Sequence, residues 1–339
     1  MKQIDICRSY LDQEKYREIP TLTLAKKIYK NHELEFKSLE SVRTSLRKLK
    51  GSSISKNQIN HQNRIKDVEK YGKYNLGNRN PFPKVPEAKK HFNKWEAKRI
   101  ESDNCLIISD PHVPFHSEEA IDCAVRYGKK KKVDTIILNG DTLDFWSISR
   151  WQKNPYERNF ADELRIAKSF FEYLRKVFPT QKIYFKVGNH EERWWAWMMV
   201  KAIEVLDVEA FSLKQLLSLD HFNIEIVEDK RPIILNKDWC VIHGHEFYGT
   251  GGNINPARGY MLKTKMNTIV GHLHRPMTHV ENLPNGEILQ SYSLGCLCDL
   301  NPDYSPLNNW GHSFAIATRN GVNTEVSHVI VRNGKIVGS

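Results

Sequence analysis

The sequence predicts an α/β protein, a two-sheet β-sandwich flanked by helices, with a small basic helical module ahead of it. Three observations lead there. Short apolar runs alternate with amphipathic helical stretches between about residues 105 and 190, and from residue 239 onward the runs are mostly strand-like. The first fifty residues have helical periodicity and are set apart by a polar stretch. A βαβα order followed by strands buries its apolar faces as two packed layers.

In the first zone, residues 1–51, Ile4, Cys7 and Leu11 share one helical face, as do Leu24 and Ile28, and then Val42, Leu46 and Leu49. Thr21 or Thr23 is placed to cap the second helix after Pro20, and Gly51 to stop the third. Residues 52–100, which include Asn78-Arg79-Asn80-Pro81-Phe82-Pro83, read as a linker with a short helix near 86–99. The third zone is residues 101–339. Apolar runs at 105–109, 135–139 and 183–187 are expected as buried strands, with helices at 117–130 and 156–178 between them. Later strands are expected at 239–242, 268–270, 288–291, 313–317 and 326–331.

Composition narrows the class. At 40% apolar and 27% charged residues the chain is ordinary for a globular protein. No apolar run approaches the roughly 18 residues of a membrane span, and the N-terminus lacks the apolar core of a secretory leader. The six cysteines are scattered, and Cys296-x-Cys298 does not fit a zinc finger, so buried or free thiols in a cytoplasm are expected. Charge is uneven. Residues 1–100 hold 24 Lys and Arg against 11 Asp and Glu, and the rest hold 27 against 29. The whole positive excess therefore lies in the first hundred residues, which favours a polyanionic partner there.

The chemistry is carried by five clusters at strand ends: Asp110-Pro111-His112, Gly140-Asp141-Thr142-Leu143-Asp144, Gly188-Asn189-His190-Glu191, His243-Gly244-His245 and Gly271-His272-Leu273-His274. Loops leaving strand C-termini converge on one sheet edge, so the five can meet. Gly140, Gly188 and Gly271 are expected to allow sharp turns there. Carboxylate, imidazole and amide oxygen together suit divalent ions such as Mn²⁺, Fe²⁺ or Zn²⁺.

These motifs, in this order, resemble the calcineurin-like metallophosphoesterase superfamily over residues 105–339. The resemblance implies hydrolysis of a phosphate ester by water activated between two divalent ions, Mn²⁺ first among Mn²⁺, Fe²⁺, Zn²⁺ and Mg²⁺. It places Asp110, His112 and His274 at one ion, Asn189, His243 and His272 at the other, and Asp141 between them. His190 then faces the scissile ester, oriented by Asp144, and His245 and His116 lie behind the ligands. The protein serine/threonine phosphatase branch continues its second motif with Arg-Gly, where this chain has Phe145-Trp146. The missing arginine argues against that activity.

Nucleic acid is the preferred substrate, cleaved by a nuclease, phosphodiesterase or end phosphatase. The alternatives are a nucleotide or cyclic-nucleotide enzyme that docks through its N-terminus, and a non-catalytic metal-binding scaffold. After the second motif, Trp146, Arg150, Trp151, Lys153, Tyr156 and Arg158 combine rings with cations. Arg193 either contacts phosphate or is an exposed helix residue, and Glu191 reads as a helix-opening acid. Trp194, Trp195 and Trp197 form a wall or pack in the core, with Trp195 and Met199 expected inside. In the N-terminal zone, Arg43, Thr44, Arg47, Lys48 and Lys50 are expected to point outward from a helix-turn-helix-like module, with Arg43, Arg47 and Lys48 contacting nucleic acid. Docking to a protein or dimerising is the competing role for that module.

Overall fold

A computed structural model describes residues 2–51, 86–89, 95–151, 159–248 and 254–337. Contacts divide the chain into two compact units, Met1–Lys89 and Lys90–Ser339. Of the proposed linker at 52–100, residues 52–85 and 90–94, the latter within its expected short helix, lie outside the described residues, as do Lys153, Tyr156 and Arg158.

The first unit is built from helices α1 (Gln3–Leu11), α2 (Glu14–Arg17), α3 (Thr21–Asn31) and α4 (Leu39–Leu49). The apolar positions spaced three and four apart converge as predicted: Cys7, Leu24, Ile28, Val42 and Leu46 are fully buried in one core with Ile6, Ala25 and Phe36. Capping differs from expectation. Pro20 precedes α3 without any side-chain cap, and neither threonine serves. The cap that forms is on α4, where Ser38 and Ser41 satisfy each other's backbone N–H groups. Gly51 adopts a left-handed φ of 73° just past α4, the expected stop.

The second unit contains two mixed sheets flanked by helices. Its elements run β1 (Lys98–Ile100), β2 (Asn104–Ile108), α5 (Glu118–Lys130), β3 (Thr135–Asn139), α6 (Phe160–Val177), β4 (Lys182–Lys186), α7 (Glu192–Lys201), α8 (Leu213–Leu216), β5 (Ile224–Val227), β6 (Ile233–Leu235), β7 (Trp239–Ile242), α9 (Pro256–Thr264), β8 (Asn267–Val270), β9 (Met277–Asn282), β10 (Ile288–Ser293), β11 (His312–Asn320), β12 (Asn323–Arg332) and β13 (Lys335–Ile336). One sheet is ordered β13-β12-β11-β2-β3-β4-β5, and the other β1-β6-β7-β8-β10-β9. The strands β2, β3, β4 and β5 are parallel neighbours. Lys98–Ile100, read on sequence as the end of the linker, is instead a strand paired parallel with β6.

Alternation along β2 shows how the layers pack. Cys105 and Ile107 face the second sheet, in a core with Trp239, Val241 and Ile269. Leu106 and Ile108 face the helices, in a core with Ala124, Phe171 and Phe178. A strand buried on both faces must be apolar throughout, which is why this run was visible in the sequence. Both sheets end in loops at one edge, and all five polar clusters lie in those loops.

Candidate functional site

Seven residues implied as ligands, Asp110, His112, Asp141, Asn189, His243, His272 and His274, come together at that edge. The loop after β2 supplies Asp110 and His112, and the loop after β3 supplies Asp141. Asn189 follows β4, His243 follows β7, and His272 and His274 follow β8. Five of the seven have left-handed φ: Asp110 at 56°, His112 at 50°, Asp141 at 46°, His272 at 70° and His274 at 57°. Such conformations cost of order 1–3 kcal/mol each for side chains with a Cβ, and surrounding structure must over-determine them. The glycines act partly as expected. Gly140 uses a φ of 84°, whereas Gly188 and Gly271 have ordinary φ and are required for clearance. A Cβ on Gly188 would collide with the backbone and carboxylate of Asp141, and one on Gly271 with Ser109 and Asp110.

Asp141 stands centrally. Its Oδ2 is 3.2 Å from His243 Nε2, 3.7 Å from His190 Nε2 and 3.9 Å from His112 Nε2. Its Oδ1 accepts the His190 backbone N–H at 2.9 Å. On one side His112 Nε2 and His274 Nε2 face each other at 3.2 Å, with Asp110 Oδ1 3.2 Å from the latter. On the other, His243 Nε2 is 3.1 Å from Asn189 Oδ1, and His272 joins Asp141 and His243 in one cluster.

Electrostatics test whether these residues fit cations. Burial pushes the Asp110, Asp141 and Asp144 carboxyls up, but surrounding histidines outweigh it and hold all three well down, hence ionised. Burial opposes charge on His243 and His274 too, yet Asp141 and Asp110 raise His243 to about 10, and Asp110 lifts His274 to about 9. Three buried carboxylates thus demand positive charge close by. Asp110 Oδ1 is buried and accepts no hydrogen bond. Two imidazole nitrogens 3.2 Å apart cannot both carry protons without strain, whereas a cation accepts both lone pairs and that orphaned oxygen. The residues fit divalent metal ions.

His190 and Asp144 also meet, though not as a simple pair. His190 Nδ1 donates to the Asp144 carbonyl at 3.0 Å, with Asp144 Oδ2 3.4 Å away. That carboxylate oxygen also bonds His112 Nδ1 at 3.1 Å, so Asp144 orients two imidazoles. Arg193 is no free surface cation. Its Nη1 donates to the Asp144 carbonyl at 2.7 Å and its Nη2 lies 2.9 Å from His190 Nε2. All three line an open cleft of about 1420 Å³, together with Trp146, Arg150, Trp151, Trp197, Lys201 and Tyr304. Arg150 is exposed on the cleft wall, its guanidinium 5.1 Å from the Trp151 ring. His245 bonds Glu192 at 3.1 Å behind His243, and His116 packs against Phe170.

Some shaping residues were missed or misread. Glu191 is no mere helix opener: fully buried, it accepts the backbone N–H groups of Asp141, Leu143 and Gly188, binding the second and third motifs together. Burial, reinforced by the Asp141 charge, pushes its carboxyl up to about 7. Glu246 accepts the N–H groups of His243 and Gly244 and pairs with the fully buried Lys186 at 2.7 Å. Burial raises its carboxyl, but the Lys186 ammonium overcomes this and holds it at about 2. An acid three residues after His243 was the available signal. The fully turned-in residues of α7 are Trp194 and Met198; Trp195 packs half-buried against the same core, Met199 is exposed, and Trp194 stacks between Phe160 and Trp197.

Fold and site together define a two-sheet α/β protein with a cluster of potential metal ligands at one sheet edge. A family model described as calcineurin-like phosphoesterase matches residues 104–292, and the chain belongs to that family. It is similar to the Gene 54 protein of Mycobacterium phage L5, 26% identical over 247 residues, covering 69% of this chain and 96% of that protein. The Gene 54 protein of Mycobacterium phage D29 is 24% identical with the same coverage. Among solved structures the chain resembles Vacuolar Protein Sorting 29 from Cryptosporidium parvum at 14% identity, covering 70% and 95% of the two chains with a TM-score of 0.37. It also resembles YfcE, a phosphoesterase from E. coli, at 13% identity, 69% and 97% coverage and a TM-score of 0.35. Among the described residues no helix is long and apolar enough to cross a membrane.

Proposed function

We propose that this protein hydrolyses phosphate esters in nucleic acid, using two divalent metal ions. Asp110, His112 and His274 would hold one ion, Asn189, His243 and His272 the other, and Asp141 would bridge them. Bound there, such ions polarise phosphoryl oxygens and lower the pKa of a coordinated water toward neutrality. The chain's own residues supply the rest. Asp144 anchors His190 through Nδ1, and Nε2 accepts from Arg193 Nη2 at 2.9 Å. Burial, the largest influence on this imidazole, holds it neutral, so Nε2 would have to leave Arg193 and gain a proton before delivering one to the leaving oxygen. Arg193, already beside that Nε2, takes the phosphate-gripping place left open where Phe145-Trp146 replaces Arg-Gly.

The observation that carries the nucleic-acid reading is the cleft beside His190. Its open volume of about 1420 Å³ exceeds the roughly 300–1,000 Å³ usual for a small-ligand pocket. Its walls combine Trp146, Trp151, Trp197 and Tyr304 with Arg150, Arg193 and Lys201, rings for stacking bases and cations for phosphates. A nucleotide-sized substrate is the second reading, since the Trp146–Tyr304 pair, stacked at 6.5 Å, would hold a single base at the mouth. Turnover of bis-(p-nitrophenyl) phosphate with Mn²⁺ tests hydrolysis itself, and its absence would leave only a scaffold. Rates on DNA and RNA compared with free and cyclic nucleotides then decide between the two enzymes.

A further inference from the structure

We propose that Cys298 is a sulfur ligand to the cation on the His112–His274 side, making that position selective for thiophilic metals. This rests on the metal-dependent reading above and deepens it. The Cys298 sulfur and the ring nitrogens of His112 and His274 form one buried cluster, all within 4.8 Å of one another. The two imidazole nitrogens face each other 3.2 Å apart. Cys298 is 4% exposed, and it lines a small pocket of about 210 Å³ shared with His112, Asp144, Trp146 and Tyr304.

Its position is fixed by the backbone on both sides. Leu297 N–H donates to the Asp110 carbonyl at 3.0 Å, and Asp299 N–H to the Phe115 carbonyl at 2.8 Å. His312 Nε2 lies 2.8 Å from the Cys298 carbonyl. The segment is therefore stapled to the loop that carries Asp110 and His112, and the sulfur is presented to their ion by the same bonds that hold that loop. Cys296 is fully buried, and its thiol donates weakly to the Gly311 carbonyl at 3.9 Å. It also lies beside His274 and Cys298, but it is the Cys298 sulfur that clusters with the ring nitrogens of both His112 and His274.

Chemistry gives the consequence. Carboxylate and imidazole alone accept Mn²⁺ readily, whereas an added thiolate shifts preference toward softer ions such as Zn²⁺, Co²⁺ or Cd²⁺. On binding, the Cys298 S–H bond breaks, its electron pair passes to the metal–sulfur bond, and the proton leaves to solvent. Among the described residues, the cluster of Asp141, His243 and His272 contains no sulfur. The two metal positions are then unequal, one with a sulfur donor and one with only nitrogen and oxygen donors.

The test uses the full chain, stripped by a chelator and reloaded with Co²⁺. Cobalt per chain and near-ultraviolet absorption are measured together. The wild type is expected to show a sulfur-to-cobalt charge-transfer band, lost in Cys298→Ser and Cys298→Ala and kept in Cys296→Ser. In competition, Cys298→Ser should lower the preference for Cd²⁺ over Mn²⁺ by roughly tenfold or more. Wild-type protein that binds cobalt without the band overturns the proposal, whether or not the variants fold. Retention of the band in a folded Cys298→Ser overturns it as well. Failure to bind cobalt at all overturns the metal-dependent reading itself, and is distinguished by the stoichiometry.

Discussion

The polar residues of the two units are used in opposite ways. At the sheet edge Asp110, Asp141 and His243 are buried, and each is committed to several partners at once. In the N-terminal unit the cations are largely wet, and several are already spoken for. Arg43 and Arg47 both pair with Glu40, at 3.2 and 3.4 Å, and Lys50 donates to the Arg17 and Ile19 carbonyls. Lys50 was expected to point outward and instead turns back onto these carbonyls; of the three proposed contacts, Lys48 is the exposed one with no such pair among the described residues. The lesson is that charge matters by desolvation more than by count. An unpaired charge left in a buried cluster costs several kcal/mol, whereas a surface ion pair is worth about 0–1 kcal/mol.

That contrast orders the expected effects. Asp141→Asn should be the most severe, because it removes the carboxylate that faces both sides of the cluster. Activity is expected to fall to below about one-thousandth, with loss of bound metal, as measured by turnover and metal analysis. Near-wild-type turnover with both metals retained would show that Asp141 does not bridge.

His190→Ala should come next. It is expected to slow turnover roughly 10²–10⁴-fold while metal content stays unchanged, and a substrate whose leaving group needs no proton should recover part of the loss. Metal loss equal to that of Asp141→Asn would make His190 a ligand instead. Glu191→Ala is expected to act on stability first. It strands three buried N–H groups, at about 3–5 kcal/mol in all, and chemical denaturation of the metal-free protein measures this. A midpoint within experimental error of wild type would show that the clamp between the motifs carries no weight.

How far the sequence revealed the molecule follows from the same physics. Strands buried on both faces, such as Thr135–Asn139, are continuous apolar runs and were readable to the residue. The three-residue strands β1 and β6 are too short to show a period, and β9 alternates at a half-exposed edge, so these were not seen. The clusters of His, Asp and Asn were legible because strand ends converge by topology alone. Glu191, Glu246 and Cys298 were not, because their importance depends on which backbone atoms happen to lie across from them. The tryptophans do pack against the core, Trp194 buried and Trp195 and Trp197 half-buried, but with the start of α7 unknown, helical periodicity could not show that Met198 and not Met199 turns inward.

The smallest effects are expected in the N-terminal region, and they decide whether its charge is used. Residues 1–51 hold 12 Lys and Arg against 7 Asp and Glu, and residues 52–100 hold 12 against 4. More than half of the positive excess therefore lies beyond the helical core. Removing residues 1–89, which spares β1, should leave hydrolysis of a small diester within about twofold, since no proposed ligand precedes Asp110. Its binding to DNA or RNA should weaken and lose salt dependence. Replacing Arg43, Arg47 and Lys48 together by Gln should do the same only slightly. Three phosphate contacts would change the slope of log K against log salt by about 3, but Glu40 already neutralises part of two of them, so a change nearer about 1 is expected. Glu40→Gln should act oppositely, freeing both arginines and steepening the slope. Binding across a salt series for these variants reads both signs. A shallower slope for the truncation, with wild-type slopes for the triple and Glu40→Gln variants, would remove α4 from any nucleic-acid surface and leave residues 52–89 as the place where the positive charge acts. Identical slopes in every variant would remove the whole segment 1–89 from nucleic-acid binding.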